Sequence, residues 1–180
     1  MPFYTGQGDT GDTGFLGEGR ISKSSLRIEA VGTVDEATAA LGLARALSED
    51  ETLTSIVLIV QKQLYWLMSE LSASPEHAAL FKKIGPVQIS WIEGQIDALE
   101  NVVELPMDFI VPGETPASAA LSLARTILRR AERRVVALLE DGGITNPELV
   151  TYLNRSSSLV FILEIYESSL SGGGIHRFPK

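Results

Sequence analysis

From Leu26 onward, apolar residues recur every three or four positions, the spacing that gives a helix one buried face. Between about Ser25 and Ser48, the residues Ile28, Val31, Val34, Ala37, Leu41 and Ala44 form such a stripe and predict a first helix. A second is predicted over about Glu51 to Ala73, where Ser74-Pro75 stops it. A third runs from about Pro86 to Val103, with Trp91, Ile92, Ile96 and Leu99 sharing a face. Pro106 and Pro112 exclude a helix from the segment between Leu105 and Gly113, because proline lacks the amide N–H that a helix needs. The fourth helix opens with Thr115 as N-cap and Pro116 in the first position, reaches Leu139 or Glu140, and ends at Gly142-Gly143. The fifth has Asn146 as its cap, Pro147 in the first turn and Glu148 beside the positive end of the helix dipole, and extends to about Ser169. Alternation with a period of two is rare and no internal repeat is visible, so the expected fold is all-α, a five-helix, ferritin-like bundle.

The ends of the chain break this pattern. Residues 1–25 carry Gly6, Gly8, Gly11, Gly14, Gly17 and Gly19, interleaved with Asp9, Asp12 and three threonines, and read as an extended loop. Gly172-Gly173-Gly174 opens a tail expected to be flexible. The expected organisation is one domain over 1–180: loop 1–25, bundle 26–170 and tail 171–180. The 180-residue length suits one domain that buries about 70% of its unfolded surface.

Charge and composition narrow the functional classes. Lys+Arg 15 against Asp+Glu 23 gives a net charge of −8, which argues against coating by nucleic acid. Cysteine is absent, so disulfides, thiolate metal sites and cysteine nucleophiles are excluded. The first residues carry no basic run followed by an apolar stretch, and no apolar run reaches the roughly 18 residues of a membrane span. The longest candidate, Leu159 to Leu163, is interrupted by Glu164. A cytoplasmic protein without a membrane partner is expected.

The fourth helix has two faces. Leu121, Ala124, Leu128, Ala131, Val135 and Leu138 make its core stripe, while Arg129 and Glu132 each fall within roughly 40° of Arg125 on another side. The sequence from 129 to 134 is Arg-Arg-Ala-Glu-Arg-Arg, a local positive cluster in an acidic chain. A solvated face laced with salt bridges is one account of it. The other is a phosphate site, since the cations are all arginine, whose planar fork suits multidentate grip on an anion.

The amino-terminal loop fails the Walker pattern, which ends in Gly-Lys-Ser/Thr, and fails the dinucleotide fingerprint, which follows a strand and opens a helix. It is either a mobile terminus or, once ordered, a polyphosphate cradle of main-chain amides and hydroxyls with Arg20 and Lys23. Asp9 and Asp12 would orient those cations or reach a hydrated magnesium ion.

Taken in order, these segments resemble a known family. Thr5-Gly6-Gln7-Gly8-Asp9 through Thr13-Gly14 with Arg20 and Lys23, then Val31 to Glu36, then Phe109-Ile110-Val111-Pro112-Gly113, then Ala124-Arg125-Thr126 and Arg129 to Arg133, then Tyr152-Leu153-Asn154-Arg155 are similar to the PduO-type ATP:cob(I)alamin adenosyltransferases. The resemblance runs from about Tyr4 to Tyr166. It implies transfer of the 5′-deoxyadenosyl group of ATP to a Co(I) corrinoid, giving adenosylcobalamin and triphosphate. The nucleophile then belongs to the cobalt, which accords with the missing cysteines and with His77 and His176 standing outside any ligand-spaced motif.

The same resemblance implies the site. ATP, with magnesium, would be held by Thr5, Gly6, Gln7, Gly8, Thr13, Gly14 and Lys23 of the loop and by Arg129, Arg130, Glu132, Arg133 and Asn154 of the last two long helices. Arg125, Arg129, Glu132 and Asp35 are the implied catalytic set, and no metal site in the protein itself is expected. Asp35 and Arg125 would link adjacent subunits of a homotrimer whose sites lie between neighbours. Phe109 would face the corrinoid and crowd out its lower axial ligand, easing reduction of Co(II) to Co(I). A flavoprotein reductase and a B12-dependent enzyme are the implied protein partners. Three stretches depart from the family pattern: Ser156-Ser157-Ser158 for Leu-Ser-Asp, Glu164-Ile165-Tyr166 for Ala-Arg-Tyr, and Pro112-Gly113-Glu114 for Pro-Gly-Gly. Two other functions fit the composition: a trimeric carrier or sensor that holds ATP or adenosylcobalamin without turnover, and a helical interaction protein with no ligand.

Overall fold

In the computed structural model, which describes residues 4–170 and 176, five long helices account for most of the chain. They are α1 (Leu26–Leu47), α2 (Glu51–Ser72), α4 (Pro86–Glu100), α5 (Pro116–Glu140) and α6 (Glu148–Leu170), and a single turn, α3 (Ala78–Phe81), follows α2. Side chains set most of the boundaries. Ser25, Asp50 and Thr115 each accept an amide of the first turn, from Ile28, Leu53 and Ser118, and Gln88 reaches back to the Gly85 amide ahead of Pro86. Asn146 accepts from the Glu148 amide, so α6 begins after Pro147 rather than on it, while its own side-chain N–H ties the carbonyl of Ile84. The third predicted helix is shorter than expected, since 101–103 close it as a turn.

Helix α1 packs on α5 and α2, α5 packs on α6, and α4 covers the other side of α6. The α5 stripe anticipated from spacing is buried throughout, from Leu121 to Leu138, and meets Leu41, Leu64, Tyr152 and Leu153 in one core. On α1 the buried face is carried by Ala30, Val34, Ala37, Leu41 and Ala44, with Ile28 and Val31 only half-buried.

The segment before α1 is more ordered than an extended loop. Strands β1 (Asp12–Gly14) and β2 (Arg20–Ser22) pair antiparallel, with Thr13 opposite Ile21. The turn between them uses Gly17 and Gly19 at φ 115° and 95°, and a Cβ on Gly17 would come within 2.8 Å of His77 Nδ1. Strands of three residues are too short to show a period of two, which is why the sequence hid them. Leu16 fastens the hairpin to the end of α2, donating to the Ser72 carbonyl at 2.8 Å and accepting from the Ser74 amide at 3.1 Å. Beside it, buried Arg27 donates to the carbonyls of Leu71 at 2.6 Å, Ala73 at 3.3 Å and Gly143, and lies 5.6 Å from the Phe15 ring. One guanidinium thus closes the carbonyl end of α2 and joins it to the hairpin and to the turn after α5. The tail expected from Gly172 lies, His176 apart, outside the described residues. His176 places Nδ1 2.6 Å from Glu114 Oε1, and its carbonyl accepts from the Val111 amide.

Candidate active site

The arginines of α5 separate into two directions. Arg130 pairs with Glu36 of α1, and Arg134 lies 3.2 Å from Glu29, so these two cations face α1 in ion pairs. Arg133 donates to the carbonyl of Arg129 at 2.9 Å. Arg125 and Arg129 turn the other way, into a cavity of about 1090 Å³ bounded by α4, α5, α6 and the segment 105–110. Arg130 and Arg134 thus stand in salt bridges to α1, while Arg125 and Arg129 line the cavity.

The cavity joins an apolar wall to a charged one. Ile96, Leu105, Pro106, Ile110, Phe161 and Ile162 supply the first, with Phe109 and Met107 at its edge. Phe109 is 86% exposed, so it is not a loop residue tucked into the core. An aromatic ring left in water beside an open cavity is a surface awaiting an apolar partner. Opposite, Arg125, Arg129 and Arg155 face Glu93, Asp97 and Glu100.

A string of polar contacts crosses three helices at this wall. Asn154 donates to Glu132 at 2.9 Å and accepts from Arg155 at 2.8 Å, and Arg155 Nε lies 3.0 Å from Glu93. Both ends of the Asn154 amide are thereby committed, which fixes its orientation. The carboxylate absent at position 158 leaves Arg155 with Glu93 of α4 as its acid. Behind the wall, Glu164 is 2% exposed and its carboxylate is 3.8 Å from Arg125 Nε, while the Arg125 guanidinium sits 5.5 Å from the Phe161 ring. Burial pushes the Glu164 carboxyl above its ordinary range, with Ser122 and the Arg125 charge opposing the rise.

The glycine-rich loop holds the second cluster. Lys23 Nζ donates to the Gly8 carbonyl at 2.7 Å, and Arg20 donates to the carbonyls of Gln7 at 2.7 Å and Asp12 at 3.1 Å. A Cβ on Gly8 would lie 2.9 Å from Lys23 Nζ, so glycine there lets the ammonium lie along the main chain. Thr5 accepts the Gln7 amide at 3.4 Å, and the Asp9 amide bonds to Gly6. The loop is thus folded around its own cations, with Gln7, Thr5 and Gly6 exposed and Thr13 and Gly14 on β1.

Two predicted relations are not formed within one chain. Among the described residues, no hydrogen bond or ion pair joins residues 4–25 to Arg125, Arg129, Arg133 or Asn154, and Asp35 is exposed on α1 without an ion pair. Sequence reasoning missed Phe161 and Glu164 as neighbours of Arg125, and it did not assign Arg155 a part. Glu164 had a visible signal, a lone acid inside the apolar run from Leu159 to Ile165, where helical spacing puts it on a buried face.

The description of the cobalamin adenosyltransferase family matches residues 3–167. A corrinoid adenosyltransferase of Bacillus subtilis is 39% identical over 184 residues, which cover 100% of this chain and 93% of that protein. Corrinoid adenosyltransferase PduO of Salmonella typhimurium is 37% identical over 170 residues, 94% of this chain, and this chain spans about half (50%) of its length. Among solved structures, a variant PduO-type ATP:corrinoid adenosyltransferase from Lactobacillus reuteri complexed with cobalamin and ATP superposes with a TM-score of 0.91 at 30% identity, covering 99% of this chain and 100% of that one. A second variant of it, complexed with ATP, gives 0.90 at 29% identity, covering 98% and 100%. The match spans the glycine-rich hairpin, the arginine face of α5 and the Asn154 string alike, and the chain belongs to the cobalamin adenosyltransferase family.

Proposed function

We propose that the protein transfers the 5′-deoxyadenosyl group of ATP to a Co(I) corrinoid, releasing triphosphate. The observation that carries this reading is the cavity beneath Phe109, which sets an apolar wall beside Arg125 and Arg129, and whose volume of about 1090 Å³ suits a large, flat, mainly apolar ring. In the step itself, the reduced cobalt attacks C5′ of the ribose, the C5′–O bond breaks, and its electron pair leaves on the triphosphate. The protein supplies no nucleophile. Its residues orient the two reactants and neutralise the charge that grows on the leaving group.

In this reading Thr5, Gly6, Gln7, Gly8, Thr13, Gly14 and Lys23 cradle the phosphates, and Arg129, Arg133, Glu132 and Asn154 complete the nucleotide site. Lys23 would exchange the Gly8 carbonyl for a phosphate oxygen, and Arg130 would share its charge between Glu36 and the nucleotide. Magnesium accompanies the triphosphate. Phe109 caps the corrinoid. The loop of one chain and the α5 face of another meet in a homotrimer, with Asp35 and Arg125 facing across the boundary. A flavoprotein reductase supplies the electron, a B12-dependent enzyme receives the product, and the setting is the cytoplasm. Residues 1–180 serve as one domain, with 1–25 as its nucleotide loop.

The carrier alternative predicts binding without bond cleavage. Incubation with ATP and chemically reduced cobalamin separates the two. Adenosyl transfer gives one triphosphate per light-sensitive alkylcobalamin formed, whereas a carrier gives neither product.

A further inference from the structure

Glu164 is a buried acid that the proposed reaction does not use, and it stands beside a cavity arginine. Glu164 lies on α6 among Val160, Leu163 and Ile165, is 2% exposed, and has the buried Ser122 hydroxyl of α5 as its polar neighbour besides Arg125, with no close hydrogen bond to either carboxylate oxygen. A carboxylate so placed disfavours folding unless a cation compensates it, and an apolar side chain of similar size would serve the core at least as well. The cation beside it is Arg125, with Nε 3.8 Å away and itself buried without an acceptor. The rest of the Arg125 guanidinium is not enclosed: it lies 5.5 Å from the Phe161 ring and lines the cavity. Phe161 and Glu164 stand three residues apart on α6, so ring and carboxylate share one face of that helix and meet the same arginine.

We propose that Glu164 is a positioning residue, whose buried carboxylate holds the Arg125 guanidinium against Phe161 at the cavity wall and so fixes where positive charge meets the bound substrates. The assignment rests on the proposed adenosyl transfer for its consequence but not for its geometry. Three features specify it. The acid is behind the wall rather than in it, since Glu164 does not line the cavity. Its polar neighbours, the Ser122 hydroxyl and Arg125, both belong to α5, so it ties down no other part of the fold. It is also the acid that Arg125 meets within its own chain, whereas Asp35 is exposed on α1. Arg125 is thereby anchored before any neighbouring subunit reaches it, and the pairing with Asp35 becomes a second contact on a cation already in place. The glutamate stands at one of the positions where this chain departs from the family pattern, so it is a device of this chain.

A double-mutant cycle on the full-length protein tests it. Glu164→Gln keeps the shape and removes the charge. It is expected to lower kcat roughly tenfold, within the range of coupled neighbours, while KM for ATP stays within about twofold. Its unfolding temperature should equal or exceed the wild-type value, because the buried charge is gone. In an Arg125→Ala background the same substitution should change kcat by less than about twofold, since nothing remains to position. A third readout needs no turnover: in arginine-¹⁵N-labelled protein, Nε–H exchange with water at Arg125 should be slow in the wild type and fast in Glu164→Gln. Wild-type kcat in Glu164→Gln, an equal loss in both backgrounds, a loss tracking a lower unfolding temperature, or unchanged Nε–H exchange would overturn the assignment. If wild-type protein makes no alkylcobalamin, adenosyl transfer fails by itself, and the exchange and unfolding measurements still decide the role of Glu164.

Discussion

The two halves of the site are built differently. The cavity under Phe109 is made by α4, α5 and α6 within one chain, and two of its arginines are held there, Arg125 by Glu164 and the Phe161 ring and Arg155 by Glu93 and the Asn154 amide. The glycine-rich hairpin is anchored at its base by Leu16 and Arg27, yet its cations are bonded to its own carbonyls and it makes no polar contact with the α5 arginines. One half is formed within the chain, and in the proposed function the other is completed by the nucleotide. That division suits the chemistry, because a large apolar ring benefits from a preformed wall, whereas a triphosphate supplies the charge that gathers mobile cations around it.

The largest effect should come from cutting the joint between the halves. Arg27→Ala removes three charged hydrogen bonds, two of them at the buried end of α2, and should cost about 4 kcal/mol of stability, lowering the unfolding temperature by roughly 8–16 °C. A calorimetric change of a degree or two would mean that the hairpin is not fastened through this residue. Next, Arg129→Ala should forfeit roughly 2–4 kcal/mol of transition-state stabilisation, a fall of roughly 30- to 900-fold in kcat/KM for ATP, by analogy with loss of an oxyanion donor. An unchanged unfolding temperature alongside that fall would place the loss in the reaction rather than the fold.

Two smaller effects sharpen the contrast. Phe109→Ala should shift stability by less than about 0.5 kcal/mol, as befits an exposed ring. Its activity should drop when Co(II) must be reduced in the site and change little when Co(I) is supplied. Equal losses in both assays would make Phe109 a general packing residue. The Glu164 carboxyl gives a pH signature of known sign. Its ordinary value is 4.5 and burial raises it, with Ser122 and Arg125 of α5 opposing, so the fold holds the proton more tightly than the unfolded chain does. Its contribution to stability is therefore present below the ordinary value and lost as pH rises through the raised one. The unfolding-temperature advantage of Glu164→Gln over the wild type should grow from about pH 4 to about pH 7. A difference that is flat across that window would mean the carboxyl is not shifted by the fold.

The helices were legible because spacing and capping agree along most of their length. The stripe from Leu121 to Leu138, with Thr115 and Pro116 ahead of it, states its own boundaries in a way that tertiary contacts did not need to amend. The hairpin was not legible, because three-residue strands carry no periodic signal and the contacts that hold them, from Leu16 to Ser72 and from Arg27 to Leu71, join distant segments. The division of the arginines was hidden for a related reason. Spacing placed Arg129 near Arg125 and Arg130 roughly 140° away around α5, but that one side meets the open cavity and the other an acid of α1 depends on neighbouring helices. Glu164 was visible as an anomaly in an apolar run, and only the fold showed that the residue across from it is Arg125.

In the proposed function ATP completes a nucleotide half that the chain leaves open, while the corrinoid half stands ready. Limited trypsinolysis with and without saturating Mg-ATP decides it, because Arg20 on β2 and Lys23 just after that strand are cleavage points. ATP should protect both positions while cleavage elsewhere in the bundle changes little. Unchanged cleavage at Arg20 and Lys23 under saturating Mg-ATP would contradict it.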